Sequence, residues 1–132
     1  MATTTASVSI SSSDMIPGMA MNYYKTSTLH KAGGCKGLEK IQSASKEYTS
    51  TSTVELLDES VVTTDAANKL YIKNLSTDTT EYFTLFIQSE ELGRLYAGDW
   101  MFIPWCAASG KDIEFTASDA TETTLEYTCF YE

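Results

Sequence analysis

The side chains best suited to act as nucleophile, base or metal ligand are a single histidine, His30, and three cysteines, Cys35, Cys106 and Cys129. A Ser-His-Asp arrangement would have to be built around His30 from a Lys- and Gly-rich stretch, and no G-x-S-x-G nucleophile elbow is present. Structural zinc draws on paired ligands about two to four positions apart. His30 and Cys35 are five apart and the other two cysteines are isolated, so no zinc pattern forms. His30 therefore reads as a loop residue. The odd number of cysteines fits a reduced compartment better than a disulfide framework, and they read as small buried hydrophobes.

Carboxylates offer the next set of candidates. Asp112 and Glu114 stand two apart on one strand and share a face, a spacing open to the paired acids of a glycosidase, but Ile113 and Phe115 claim the buried face and leave the pair solvated. Acidic turns at Asp78 and from Asp119 to Glu122 offer oxygens to calcium without following the EF-hand pattern. Asn74-Leu75-Ser76 matches the glycosylation acceptor, which matters only in a secreted eukaryotic chain. The expectation is a protein with no catalytic residue, no cofactor and no metal. Trp100, Trp105, Tyr96 and Tyr82 would suit a sugar-stacking platform, although alternating aromatics usually fill a β-core. The core reading expects Trp100 buried and Trp105 partly so; exposure on a flat face would favour a carbohydrate-binding module.

The elements that carry these residues read as strands. Leu70 to Asn74, Tyr82 to Gln88, Trp100 to Ile103, Ile113 to Ala117 and Leu125 to Tyr131 alternate apolar and polar residues with period two. Turn residues separate them at Ser76 to Thr80, Glu90 to Gly93, Ala97 to Asp99, Ser109-Gly110 and Ser118-Asp119. Pro104 cannot donate to a ladder, so its strand is an edge, is bulged or ends there. Residues 38–57 read as strands joined by a Ser/Thr turn, and Met15 to Gly18 as a turn before an alternating strand from Met19. Short strands at roughly ten-residue spacing describe an all-β, single-domain sandwich of jelly-roll-like type. Residues 15–132 form that domain in this reading. Residues 1–14 form a flexible N-terminal arm whose Val8 and Ile10 could add as a strand to a neighbouring sheet edge.

Length and charge narrow the function. A chain of 132 residues holds one core. Its net charge of −9 argues against nucleic acid as a partner. The charge is uneven: residues 1–46 hold five Lys against Asp14 and Glu39, whereas residues 47–132 hold sixteen acids against Lys69, Lys73, Arg94 and Lys111. Such asymmetry suits the steering of one subunit onto another, but a solvated surface that keeps the protein soluble accounts for it more simply. The start of the chain shows no signal-peptide pattern, and the longest apolar run, from Trp100 to Ala108, is far short of the roughly 20 residues needed to cross a bilayer. No membrane partner is expected.

The stretches Lys69-Leu70-Tyr71-Ile72-Lys73-Asn74, Leu92-Gly93-Arg94-Leu95-Tyr96-Ala97-Gly98-Asp99-Trp100 and Leu125-Glu126-Tyr127 resemble small virion proteins of tailed phages. In those chains a Y-I-K-N strand, an L-x-A-G-(D/E) turn and a following Pro-containing strand recur. The resemblance covers roughly residues 69–132 and carries over no functional residue. It implies a non-enzymatic β-sandwich present in many copies on a capsid or tail, made in the host cytoplasm and built into the virion. The expected role is a capsid decoration or cement protein forming a symmetric homo-oligomer, a trimer first, on a major capsid or tail protein. A tail or fibre component and a carbohydrate-binding module are the alternatives; a small hydrolase ranks last. Val8, Ile10 and Trp105 are the expected interaction residues.

Overall fold

In a computed structural model the chain divides into two compact units, Met1–Glu39 and Lys40–Glu132. The structure describes residues 4–30, 38, 40–63, 65–119 and 123–132, with the backbone alone for 14–16. All ten strands pair antiparallel, and a single 3-10 turn, Glu59–Val61, is the only helical element among the described residues.

The first unit is a ribbon of two long strands, β1 (Thr4–Ile16) and β2 (Met19–Leu29), in one register from Thr4↔Leu29 to Ser12↔Met21, with a shift before the last pair, Ile16↔Met19. Pro17 and Gly18 close it: Pro presets the first corner of the turn, and Gly18 takes the positive φ of 77° that the second corner demands. The arm expected over residues 1–14 is therefore, over its described part, one strand of a hairpin inside the chain. The division between units falls after residue 39 instead of after residue 14. The Ser/Thr alternation around Val8 and Ile10 serves a strand, and Met19 to Leu29 supplies its partner within the same chain.

The second unit holds eight strands: β3 (Lys40–Tyr48), β4 (Val54–Leu57), β5 (Asn68–Asn74), β6 (Tyr82–Ile87), β7 (Glu90–Tyr96), β8 (Trp100–Trp105), β9 (Ile113–Ala117) and β10 (Thr123–Tyr131). They form two four-stranded sheets, ordered β3-β10-β5-β8 and β4-β9-β6-β7. Outer strands pair with outer and inner with inner: β3 with β10, β4 with β9, β5 with β8 and β6 with β7. The topology is thus one long hairpin, with its tip between β6 and β7, rolled so that successive pairs alternate between sheets. That is a jelly roll, an all-β sandwich.

Alternation decides what lies inside. Along β5, β9 and the body of β10 every second residue is buried. Leu70, Ile72, Phe83, Leu85, Ile113, Phe115, Leu125 and Cys129 are almost fully enclosed. Phe115 meets Tyr48 edge-on at 4.1 Å and Phe83 at 5.5 Å between ring centroids, the edge-to-face arrangement that the aromatic quadrupole favours. A register shift between Glu55 and Leu57 lets the consecutive Leu56 and Leu57 both turn inward. Pro104 is accommodated because β8 is an edge strand.

One turn differs from the sequence reading. The reversal expected over Glu90 to Gly93 occurs at Gln88-Ser89, both at positive φ (55° and 63°), the geometry of a two-residue hairpin loop. The Gly93 φ of 151° instead serves a bulge, marked by the register step from Leu85↔Gly93 to Phe86↔Glu91.

Candidate binding and assembly surfaces

In an antiparallel pair, residues directly opposite share a face, so the ribbon register sorts its side chains. One face carries Ala6, Val8 and Ile10 from β1 opposite Ser27, Lys25 and Tyr23, with Met21 and Leu29 in the same alternation. The other carries Ser7, Ser9 and Ser11 opposite Thr26, Tyr24 and Asn22, and Ser7 Oγ lies 3.0 Å from Thr26 Oγ1. The ribbon is amphipathic, yet its apolar face is open: Ile10 and Tyr23 are each 48% exposed, and Val8 is half-buried. Of the expected interaction residues, Val8 and Ile10 stand together on this face.

The third, Trp105, is a core residue. It is 2% exposed, and its indole Nε1 donates to the Lys111 carbonyl at 2.9 Å. Trp100, expected inside, is 49% exposed. Both outcomes follow from pairing: Met101, Ile103 and Trp105 face the core opposite Ile72, Leu70 and Asn68, which turns Trp100, Phe102 and Pro104 outward. The four aromatics considered as a platform are therefore separated. Tyr82 and Tyr96 pair on the outer face of the β4-β9-β6-β7 sheet, 5.2 Å apart, with the Arg94 guanidinium 4.7 Å over the Tyr82 ring. Trp100 lies on the outer face of the other sheet beside Tyr71, their centroids 6.2 Å apart and the rings tilted by 33°. Phe102 and Phe130 meet on that same face at 6.4 Å.

Asn74 fixes the turn that presents Trp100. Fully buried, it donates from Nδ2 to the Leu95 carbonyl (3.1 Å) and accepts from Ser76 N–H at Oδ1 (2.8 Å). Its backbone exchanges bonds with Gly98 and Asp99, while the Asp99 carboxylate accepts from Tyr96 N–H. The glycosylation pattern at Asn74 is thereby explained as structure, because the amide is enclosed and engaged.

The ionisable candidates are dispersed. His30 is exposed at the end of β2; Cys106 is exposed, its thiol 3.6 Å from Asp65 Oδ1, and Cys129 is enclosed, its thiol pushed up to about 11 by burial. Cys35 and Glu122 lie outside the described residues. Asp78 accepts from the Thr80 N–H and hydroxyl, which holds its own turn and lowers its pKa. Asp112 does not pair with Glu114. It precedes β9 and joins Asp58 and Glu59, carboxylate oxygens of the three lying within 4.8 Å of one another. Each carboxylate already takes a backbone N–H: Asp58 from Ser60 (2.7 Å), Asp112 from Glu59 (2.8 Å) and Glu59 from Gly110 (3.2 Å). The hydrogen bond from Ser60 holds Asp58 below its ordinary range, while a hydrogen bond shared with the Asp112 carboxyl raises Glu59. These caps account for the cluster as a joint between β4 and β9.

A cleft of about 190 Å³, lined by Leu85, Leu92, Gly93, Arg94, Leu95 and Met101, is smaller than the roughly 300–1,000 Å³ of small-molecule pockets. A wide, open depression of about 520 Å³ lies on the ribbon, lined by Ser11, Ser12, Ser13, Ala20, Met21 and Asn22. No protein-family model and no curated protein matches the chain. Among solved structures, the crystal structure of the Yersinia pseudotuberculosis-derived mitogen is similar, at 13% identity and a TM-score of 0.46 over 70% of this chain and 86% of that one; a likeness at this level carries no argument about function.

Proposed function

We propose that this protein is a non-enzymatic structural protein of a tailed-phage virion, a capsid decoration or cement protein that assembles as a symmetric oligomer with its ribbon as an assembly element. The observation that carries the reading is the open apolar face of the β1–β2 ribbon. A two-stranded hairpin is marginal in water because it has no core of its own, and three or more strands or a packed layer are needed for independent stability. Here Val8, Ile10, Met21 and Tyr23 line one face, and Ile10 and Tyr23 leave about half of their surface in solvent. A neighbouring subunit or capsid protein laid on that face supplies the missing layer. The jelly roll suits the role as a rigid body repeated by closed symmetry, in which a trimer is the favoured number. The uneven charge assists docking, since a strongly acidic sandwich meets partners of opposite field.

Mass spectrometry and cryo-electron microscopy of purified particles of the encoding phage test this. The expected result is the protein in many copies per particle, with jelly-roll density at symmetry-related capsid or tail positions. Purified particles without the protein would overturn the reading.

A further inference from the structure

The outer face of the β3-β10-β5-β8 sheet differs from an ordinary solvated strand face. Cross-strand pairing sets its side chains in rows. One row runs Ser45, Glu126, Lys73, Trp100, and the next runs Ser43, Thr128, Tyr71, Phe102. Neighbours in a row stand about 4.8 Å apart, so each row spans roughly 14 Å across the four strands. The half-exposed Trp100 indole and the Tyr71 ring, tilted by only 33°, make an apolar shelf at one end. Beside it, Ser45, Glu126 and Lys73 make no hydrogen bond or ion pair with another described residue; Glu126 and Lys73 stand opposite each other as complementary charges, and Glu126 also acts electrostatically on Tyr71, so an acceptor, a donor and a hydroxyl keep hydrogen-bonding capacity next to the shelf.

Charge selects among ligands. Residues 47–132 carry sixteen acids against four basic residues, yet on this face Lys69 and Lys73 balance Glu47 and Glu126. A polyanion, whether nucleic acid or acidic polysaccharide, meets a repulsive chain with no local surplus of cations to offset it. An apolar protein surface would strip water from Ser45 and from the opposed Glu126 and Lys73 without supplying hydrogen-bond partners in its place. An uncharged polymer that is apolar on its ring faces and hydroxylated at its ring edges satisfies both requirements.

We propose that this sheet face binds a neutral pyranose polysaccharide, with Trp100 and Tyr71 stacking on sugar rings and Ser45, Glu126 and Lys73 bonding to their hydroxyls. This activity goes beyond the assembly role and does not depend on it: the ribbon and this face share no residue.

Affinity electrophoresis of the full chain through gels holding laminarin, galactomannan, alginate or single-stranded DNA, followed by tryptophan fluorescence, tests it. Because Trp105 is enclosed, an emission change reports Trp100. The expected result is retardation by laminarin or galactomannan with a blue shift, weakened at least tenfold in Trp100→Ala and several-fold in Lys73→Ala. Trp100→Phe should retain part of the binding, and Tyr96→Ala, on the other sheet, all of it. The proposal is overturned by retardation with neither neutral polymer, by retardation only with alginate or DNA, or by retardation unchanged in Trp100→Ala. It is also overturned if Trp100 becomes shielded from quencher as the protein self-associates, which would make a second copy the occupant. Self-association through the ribbon is read separately by sedimentation, so failure of one proposal is distinguishable from failure of the other.

Discussion

Trp100 and Trp105 stand at opposite ends of β8 and on opposite faces of its sheet, one 49% exposed beside Tyr71 and the other 2% exposed beneath Lys111. Acrylamide quenching should therefore resolve two populations, an accessible one that disappears in Trp100→Phe and a shielded one that remains. Uniform shielding of both would contradict the register of β8 on β5. Trp105→Ala should cost about 3–5 kcal/mol, the range for an aromatic removed from a core, read as a lowered denaturant midpoint.

The sandwich has its own core. Every residue of the main hydrophobic cluster, from Tyr48 to Cys129, and all eight strands of the jelly roll lie within residues 40–132. A fragment comprising 40–132 should fold, with β-type circular dichroism and a cooperative thermal transition. A fragment without cooperative unfolding would show that the ribbon is part of the fold's foundation.

How much of this was legible in the sequence depends on distance along the chain. Strands β5, β9 and β10 were readable because one face of each is buried and the alternation records it locally. Pro17-Gly18 announced its turn. The Gln88-Ser89 turn did not, since neither residue is the Gly or Asn that usually marks positive φ, while Gly93 drew attention to its bulge. In β8 both alternations carry aromatics, Trp100 and Phe102 on one and Trp105 on the other. Only the pairing of Ile103 with Leu70 and Met101 with Ile72 tells inside from outside. The outer-face row and the Asp58, Glu59 and Asp112 joint are non-local: β3, β10, β5 and β8 build the first, and the approach of β4 to β9 builds the second. The spacing of Val8 and Ile10 puts them on one face, but it carries no sign that the partner strand is Met19 to Leu29 of the same chain.

Tyr48 is enclosed against Phe83 and Phe115, and its hydroxyl finds no partner among the described residues; burial, and then the neighbouring Tyr127, raise its pKa strongly. An unsatisfied buried hydroxyl is a cost, so Tyr48→Phe should stabilise the protein by about 1 kcal/mol in urea unfolding. Destabilisation would reveal a partner for that hydroxyl.

Asn74→Ala should act oppositely. It strips the buried Leu95 carbonyl of its partner, at a cost of about 1–3 kcal/mol, and the Ser76 N–H of a partly buried one that water can replace in part. The same substitution should broaden the amide resonances of residues 96–99, because the turn ahead of Trp100 loses its clamp.

The Asp58, Glu59 and Asp112 joint gives stability a defined pH dependence. Glu59 has a folded pKa raised by its hydrogen bond with the Asp112 carboxyl, so its contribution is full below the ordinary carboxylate range and is lost as pH rises through the raised value. Asp58 is lowered by Ser60, so its contribution is present above the ordinary value and is lost as pH falls through the depressed one. Thermal midpoints of Glu59→Gln, scanned upward from pH 4, should lack the decline that Glu59 imposes on the parent protein. An identical slope in both would show that the two carboxyls share no proton.

Sedimentation velocity of the full chain beside an Ile10→Asp, Tyr23→Asp variant tests the central claim, that the apolar ribbon face is an assembly surface, most directly. Both substitutions place charge on the open face and leave the 40–132 core untouched. The account predicts a discrete oligomer, a trimer first, for the parent chain, and a folded monomer with unchanged sandwich melting for the variant. A parent chain that stays monomeric at high concentration, or a variant that assembles as well as the parent, would contradict it.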